Sequence, residues 1–132
     1  MANCQKYWQN SCIQLPDEFT VIFMTTESEG LIVLSTCPGS ITAKNIATDL
    51  VANKLAACVQ VVPGILSYFR WLGKVDSKDE YLLIIKTTAR CYRGVEKSIK
   101  DLHPYELPEI VAVPISTGLD GYLKWLNDST QS

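Results

Sequence analysis

The sequence predicts an α+β fold with the element order β-α-β-β-α-β and one further helix at the C-terminus. Two patterns support this prediction. Short runs of consecutive apolar residues, typical of buried strands, alternate with segments in which apolar residues recur every three or four positions, as on one face of a helix. Proline and glycine interrupt the apolar runs, as at Pro38-Gly39 and Pro63-Gly64.

The first strand and the first helix lie on either side of the earlier Pro-Gly pair. Residues 31–36 are mostly apolar and predict a buried strand. Ser40 is a residue type favoured at helix N-caps. A helix is predicted over residues 41–55, because apolar side chains recur there at helical spacing: Ile46, Ala47, Leu50, Val51 and Leu55.

The middle of the chain predicts a pair of strands. Residues 58–62 form the second predicted strand. The later Pro-Gly pair is predicted to form a bulge or bend in this strand, and residues 65–71 continue it. Residues 72–78 contain a glycine and several polar side chains, and they predict a hairpin connection. Residues 80–88 form the third predicted strand.

The last part of the body predicts a second helix, a fourth strand over residues 110–115 and a short final helix after a turn at residues 118–120. The second helix is indicated by apolar spacings of three and four: Tyr92, Val95, Ile99 and Leu102. The final helix carries four large apolar side chains: Tyr122, Leu123, Trp125 and Leu126.

Composition limits the class of protein. The 132 residues fit one domain, and the 12 basic and 14 acidic side chains form no basic stripe, so a nucleic-acid partner is not expected. No apolar run is long enough to span a bilayer, and no signal peptide is recognised. The five cysteines are odd in number and lack a Cys-x-x-Cys pair, which favours free thiols in a cytoplasmic protein.

The start of the chain differs from the rest. Residues 1–16 are polar without a clear period, residues 19–25 could form a short strand, and residues 26–30 indicate a turn. We therefore expect residues 1–30 to be an appendage, partly disordered, and residues 31–132 to be the folded domain.

The predicted element order is that of the ferredoxin-like fold, in which two helices cover one face of a four-stranded sheet. The predicted strands do not alternate between apolar and polar residues, and this pattern indicates burial on both faces. A body of this size cannot cover both faces by itself, so a partner subunit is expected. We further expect residues 65–71 and 80–88 to extend past their own subunit and to pair with neighbours.

The single histidine, His103, lies in the run His-Pro-Tyr-Glu-Leu-Pro-Glu, where the second helix should end. A residue before proline is pushed out of helical geometry, so the ring stands on a stiff connector together with Tyr105 and Glu106. This arrangement suits binding chemistry. It is equally typical of an ordinary helix stop, and the sequence leaves both interpretations open.

Six motifs occur in a fixed order that resembles the CutA family, the divalent-cation tolerance proteins. They are Lys-Leu-Ala-Ala-Cys-Val from residue 54, Val-Pro-Gly from 62, Trp-Leu-Gly-Lys from 71, Lys-Thr-Thr from 86, His-Pro-Tyr-Glu-Leu-Pro-Glu from 103 and Tyr-Leu-Lys-Trp-Leu from 122. The resemblance covers residues 31–130. It implies a ferredoxin-like homotrimer similar to the PII signalling proteins.

The resemblance also implies divalent-cation binding, with copper tolerance in bacterial members. Of the family's metal donors, His103 and Cys58 match in this sequence. Ser35 and Leu102 stand where the copper-binding bacterial pattern has a cysteine and a histidine, and Leu72 stands where many members of the family have a glutamate. Because only one imidazole and one thiol remain, we expect copper or another divalent cation to bind weakly.

Further side chains are candidates for a ligand cleft between subunits: Trp71, Lys74, Lys86, Tyr105 and Glu106. A small anion is the ligand that the two lysines would suit. Asp76, Asp79 and Glu80 form an acidic cluster that we predict to be a solvated hairpin tip.

Two functions of different class are compatible with the sequence. The first is a cytosolic homotrimeric protein of divalent-cation, or copper, tolerance. The alternative is a PII-like trimeric sensor or scaffold that binds a small molecule or a protein, with metal incidental. No catalytic set of nucleophile and base can be assembled, so an enzyme is not expected.

Overall fold

The structure is a computed structural model that describes residues 29–131. The elements follow the predicted order: β1 (Gly30–Cys37), α1 (Ser40–Ala52), β2 (Cys58–Trp71), β3 (Lys74–Thr88), α2 (Tyr92–Leu102), β4 (Val111–Pro114) and α3 (Asp120–Asp128). One 3₁₀ turn, Ala89–Cys91, precedes α2. The strand predicted over residues 19–25 lies outside the described residues.

The four strands form one sheet in the order β2-β3-β1-β4, and every neighbouring pair is antiparallel. β1 and β2, which α1 connects, are separated by β3. β3 and β4, which α2 connects, are separated by β1. This is the ferredoxin-like split arrangement, and the predicted fold class is confirmed.

α1 and α2 cover one face of the sheet and form the core with it. Because side chains alternate between the two faces of a strand, every second residue of β1 and β3 faces these helices. Val33, Leu83 and Ile85 do so and are fully buried. The helices contribute four side chains that are equally buried: Ile46, Leu50, Val95 and Ile99.

The opposite face of the sheet is also apolar, as the consecutive apolar residues predicted. Four side chains of β1 and β3 lie on it and are partly buried: Ile32, Leu34, Leu82 and Ile84. α3 packs over part of this face and buries Leu126. Val111 and Val113 of β4 remain 50% and 47% exposed. Residues 29–131 of one chain therefore leave apolar surface on this face, which we call the open face.

Several element ends differ from the prediction, and the N-cap of α1 is Gly39 instead of Ser40, which is the first residue of the helix. α1 ends at Ala52 instead of Leu55, because Lys54 has a left-handed backbone with a φ of 57° and stops the helix. β4 is shorter than the predicted residues 110–115 and spans only Val111–Pro114. The bulge predicted at Pro63-Gly64 is confirmed, since the register of β2 and β3 shifts there.

The hairpin connection predicted over residues 72–78 is wrong in length. Trp71 already pairs with Lys74, so the connection consists of Leu72 and Gly73 alone. These two residues have φ values of 51° and 77°, the positive values that a type I′ hairpin turn requires. The polar residues that follow belong to β3, which begins at Lys74.

β2 and β3 extend beyond the rest of the sheet. β1 pairs with β3 only from Tyr81 to Thr88. Within the described part of the chain, residues 65–71 and 74–80 therefore pair with each other alone. We call residues 65–80 the arm. The expectation that β3 leaves its own subunit also beyond residue 80 is wrong, because Tyr81 to Thr88 lie between β1 and β2.

Replacing Leu72 by asparagine should stabilise the protein. Leu72 is 87% exposed, and its positive φ costs an ordinary L-residue about 1 kcal/mol, whereas asparagine tolerates this conformation. We expect urea denaturation of Leu72→Asn, at one fixed protein concentration, to show a free energy of unfolding higher by about 1 kcal/mol.

Leu107→Asn is the matched control, because Leu107 is 79% exposed and has no positive φ. A similar gain in both variants would show that replacing any exposed leucine by a polar residue has this effect. No gain in Leu72→Asn would contradict the assignment of strain to this turn.

Candidate functional site

His103 ends α2 with both of its ring nitrogens bound to the backbone. Its φ of −84° and ψ of 135° are extended, as expected for a residue before proline. The ring is buried, with Nε2 2.7 Å from the carbonyl oxygen of Thr36, and the amide of Tyr105 donates to Nδ1 over 3.1 Å. A carbonyl only accepts, so Nε2 carries the proton and Nδ1 the lone pair.

Tyr105 continues this chain of contacts to the base of the arm. Its hydroxyl donates to Glu80 over 3.1 Å, and the Lys78 ammonium lies 4.5 Å from its ring centroid. Burial, followed by the hydrogen bond to Glu80 and its charge, raises the pKa of Tyr105 to about 12. The phenol therefore stays protonated and able to donate. We call the linked groups of Thr36, His103, Tyr105 and Glu80 the latch.

Glu80 was predicted to lie in a solvated hairpin tip together with Asp76 and Asp79, and this prediction is wrong for Glu80. Its side chain faces the body and is only 6% exposed, whereas Asp76 and Asp79 are exposed. Cys37 lies near this carboxylate. Burial raises the pKa of the Cys37 thiol; a backbone hydrogen bond of Gly39 opposes the rise, and the charge of Glu80 adds to it.

The two donors expected for a metal, His103 and Cys58, are not brought together within one subunit. Cys58 pairs with Lys86, which pairs with Ile32 on β1, so its side chain lies on the open face. His103 contacts Thr36, about 13 Å farther along β1 at the usual strand rise.

Ser35, at the position of the missing cysteine, faces the helices and is fully buried. Its hydroxyl has no hydrogen-bond partner among the described residues. Residues 29–131 also contain no group of three or more His, Cys, Asp or Glu side chains that could hold a metal ion. The donors present in one folded subunit therefore do not fit a copper site.

The candidate cleft residues lie in three separate places. Trp71 and Lys74 are cross-strand partners at the tip of the arm. Lys86 lies about 40 Å from Lys74 along β3, with its ammonium 5.4 Å from the ring centroid of Tyr122. Tyr105 stands at the base of the arm, and Glu106 beside it is exposed. One subunit alone does not assemble these side chains into a cleft.

The sequence analysis missed Thr36, Lys78 and the buried role of Glu80. Thr36 acts through its carbonyl, for which a sequence carries no signal. Lys78 and Glu80 are two positions apart on β3, which was the available sign that they share one face, although only Glu80 is buried. None of the helices that the structure describes is long and apolar enough to cross a membrane.

Stability should fall at alkaline pH because of Tyr105. An unfolded tyrosine loses its proton near pH 10, whereas folded Tyr105 keeps it up to a pKa of about 12. The stabilisation is thus complete below pH 10 and is lost as the pH rises to about 12. At pH 8, Tyr105→Phe should unfold more easily by about 1–3 kcal/mol, because Glu80 loses its donor.

The free-energy difference between the parent and Tyr105→Phe should then shrink between pH 10 and pH 12. Urea denaturation at several pH values measures it. A difference that stays constant over this range would contradict the buried hydrogen bond.

Comparison with known proteins agrees with the fold described above. The family described as "CutA1 divalent ion tolerance protein" matches residues 31–129. The "Divalent-cation tolerance protein CutA" of Thermus thermophilus is 46% identical over 99 residues, which are 75% of this chain and 96% of that protein. "Protein CutA, chloroplastic" of Arabidopsis thaliana is 43% identical over 102 residues, which are 77% of this chain and 56% of that longer protein.

A solved structure from Thermus thermophilus, described as "Divalent cation tolerance protein (Cut A1)", superposes with a TM-score of 0.76. It is 45% identical in sequence, and the match covers 77% of this chain and 99% of that one. The match of family, relatives and fold over the same part of the chain leads to one conclusion. The chain belongs to the CutA1 divalent ion tolerance family.

Proposed function

We propose that this protein is a cytoplasmic homotrimer of divalent-cation tolerance that works by binding, not by catalysis, and that takes up copper weakly through His103. Residues 31–132 act as the functional domain in this proposal, and residues 1–30 are an appendage. The observation that carries the proposal is the arm together with the open face, because both present apolar surface that a single chain leaves in water.

The trimer is supported by what the arm exposes. Tyr68, Trp71 and Val75 are 70%, 58% and 71% exposed, although large apolar side chains usually find cover. Among the described residues, β4 lies at the edge of the sheet and pairs with β1 alone, so its other side is available to a neighbouring strand. The arm of a second copy supplies such a strand.

A trimer would also bring together cleft residues that one subunit keeps apart. The tip of the arm carries Trp71 and Lys74 far from their own body, and a neighbouring body carries Tyr105 and Glu106. A small anionic ligand between subunits would contact both groups. This arrangement corresponds to the alternative function, a PII-like sensor or scaffold. Both ring nitrogens of His103 already form hydrogen bonds, and this favours the alternative function over a strong metal site.

The hydrogen bonding and protonation of His103, Tyr105 and Cys37 support binding rather than catalysis. The lone pair of His103 is used by an amide, and the Tyr105 phenol is held in its protonated form. Burial raises the pKa of the Cys37 thiol and so disfavours the nucleophilic thiolate. These groups stabilise one another and present no activated nucleophile.

Copper binding should depend mainly on His103. In a calorimetric titration of the reduced protein with CuCl₂, we expect weak binding. His103→Ala should remove most of the heat of binding. Cys58→Ser should change the heat of binding little, because Cys58 lies far from His103. Cys58 also lies on the opposite side of the sheet from Ser35. Unchanged copper binding by His103→Ala would contradict the proposed donor.

The assembly is tested separately by sedimentation equilibrium at micromolar concentration. We expect three times the mass of the chain, and deletion of residues 1–16 should leave both this ratio and the melting temperature nearly unchanged. A stable monomer would exclude the proposed trimer. A large loss of stability on deletion would instead show that the appendage is part of the fold.

A further inference from the structure

The arm begins at a bulge, where strand pairing alone fixes its direction weakly. The register of β2 and β3 shifts between Val62 and Ile65, so Pro63 and Gly64 together stand opposite one residue of β3. Such a bulge bends its strand, and Pro63 has no amide hydrogen to pair across it. Gly64 has a φ of 77°, and no atom of the described residues lies within 4 Å of the position that a Cβ would take there. The arm therefore has room to change its angle at its base.

Glu80, the residue of the arm that lies beside this bulge on β3, is fastened to the body by Tyr105. It pairs with Ile65, and its carboxylate accepts a hydrogen bond from the Tyr105 hydroxyl over 3.1 Å. Backbone pairing with β1 begins only at Tyr81. Among the described residues, the hydrogen bonds and cation–π contacts between arm side chains and the body all go to Tyr105, from Glu80 and Lys78. The angle of the arm thus depends on where Tyr105 is held.

The rest of the latch holds Tyr105 in one place. Its amide donates to Nδ1 of His103, and the centroids of the two rings lie 4.7 Å apart. Nε2 of His103 is bound in turn to the Thr36 carbonyl of β1. A tyrosine side chain has only two torsions, so a held ring also places its hydroxyl. The latch therefore refers the base of the arm to β1, through the connector after α2.

The length of the arm makes this angle decisive for assembly. Residues 65–71 span about 20 Å at the usual strand rise, so a swing of about 14° at the base would move the tip by about 5 Å, the spacing of neighbouring strands. An arm displaced by that distance could not pair with the edge of a second copy. A small error at Glu80 would thus misplace Trp71 and Lys74 by a whole strand.

We propose that the hydrogen bond between Tyr105 and Glu80 is the positioning contact of the arm, which directs the arm at the β4 edge of a neighbouring copy before the subunits meet. The inference deepens the proposed function and rests on it insofar as the arm joins copies of the chain. Without this bond the arm samples several angles, and only the fraction of subunits with the correct angle can assemble. Tyr105 is a positioning residue, because it acts on assembly through Glu80.

Tyr105→Phe tests the proposal, because it removes the bond to Glu80 and keeps the ring and the backbone amide. The protein is unfolded in urea and diluted, and native mass spectrometry follows the trimers that form at several protein concentrations. The concentration-dependent step, in which folded subunits meet, should be about two- to tenfold slower in Tyr105→Phe than in the parent, as expected for the loss of one hydrogen bond. A purely structural role would slow only the concentration-independent folding of each subunit.

Two further variants separate positioning from a general loss of stability. Tyr92→Phe is the matched control, since the Tyr92 hydroxyl donates to Glu96 over a similar 3.0 Å on the surface of α2. It should assemble as fast as the parent. Glu80→Gln keeps an oxygen that accepts from Tyr105, so it should also assemble at close to the parent's rate. Assembly of Glu80→Gln as slow as that of Tyr105→Phe would contradict the hydrogen bond as the cause.

Hydrogen exchange gives a second measurement that does not depend on assembly. In Tyr105→Phe, amides of residues 65–80 should exchange faster relative to those of the buried strands, and in Tyr92→Phe they should not. Unchanged exchange at the arm, or assembly of Tyr105→Phe as fast as that of the parent, overturns the positioning role while the trimer stands. A parent that sediments as a monomer overturns the proposed function instead, and hydrogen exchange then decides the role of Tyr105 by itself.

Discussion

The imidazole of His103 donates to one backbone carbonyl and accepts from one backbone amide, and this pair of bonds determines what the candidate site can do. The proline after His103 holds the residue in extended geometry, so the ring can reach back to β1 while the connector turns toward the arm. Because neutral imidazole has one donor and one acceptor, the two bonds use its full capacity. A neutral ring is therefore a structural part of the fold as well as the expected metal donor.

The second constraint is the sheet, which is apolar on both faces while α1 and α2 cover only one of them. α3 reduces the exposed area of the other face, and its own Tyr122 and Trp125 remain 39% and 46% exposed there. The arm adds further apolar surface outside the body. Burying this surface between copies of the chain would stabilise the proposed trimer, since unfolding would then also have to separate the subunits. The arm, which the proposed trimer would use for assembly, meets the latch at its base, where Glu80 is buried.

The sequence predicted the element order well because periodicity is a local property. Apolar spacing marked α1 and α2, and the Pro-Gly pair in β2 marked its bulge. Local signals failed where the deciding contact is distant. Glu80 looks like a surface carboxylate in a polar run, and only Tyr105, on a connector after α2, makes it a buried one. The length of the hairpin turn was missed because leucine is an unusual residue at a positive φ.

At the candidate site, too, local features could be predicted from the sequence, whereas features that depend on distant contacts could not. Proline next to histidine predicted the extended backbone, yet binding chemistry and a helix stop remained equally compatible with it. The choice depends on the Thr36 carbonyl, which lies 67 positions away in the chain. The departures at Ser35, Leu72 and Leu102 were visible in the sequence. The strand register was needed to establish that Ser35 and Cys58 face opposite sides of the sheet.

The state of the His103 ring can be measured directly, because the chain contains a single histidine. Nitrogen-15 NMR of the labelled protein at neutral pH reports which ring nitrogen carries the proton and whether the ring exchanges between forms. We expect one neutral species with the proton on Nε2, slow to exchange with water. A ring protonated on Nδ1, or one that averages rapidly between tautomers, would contradict it.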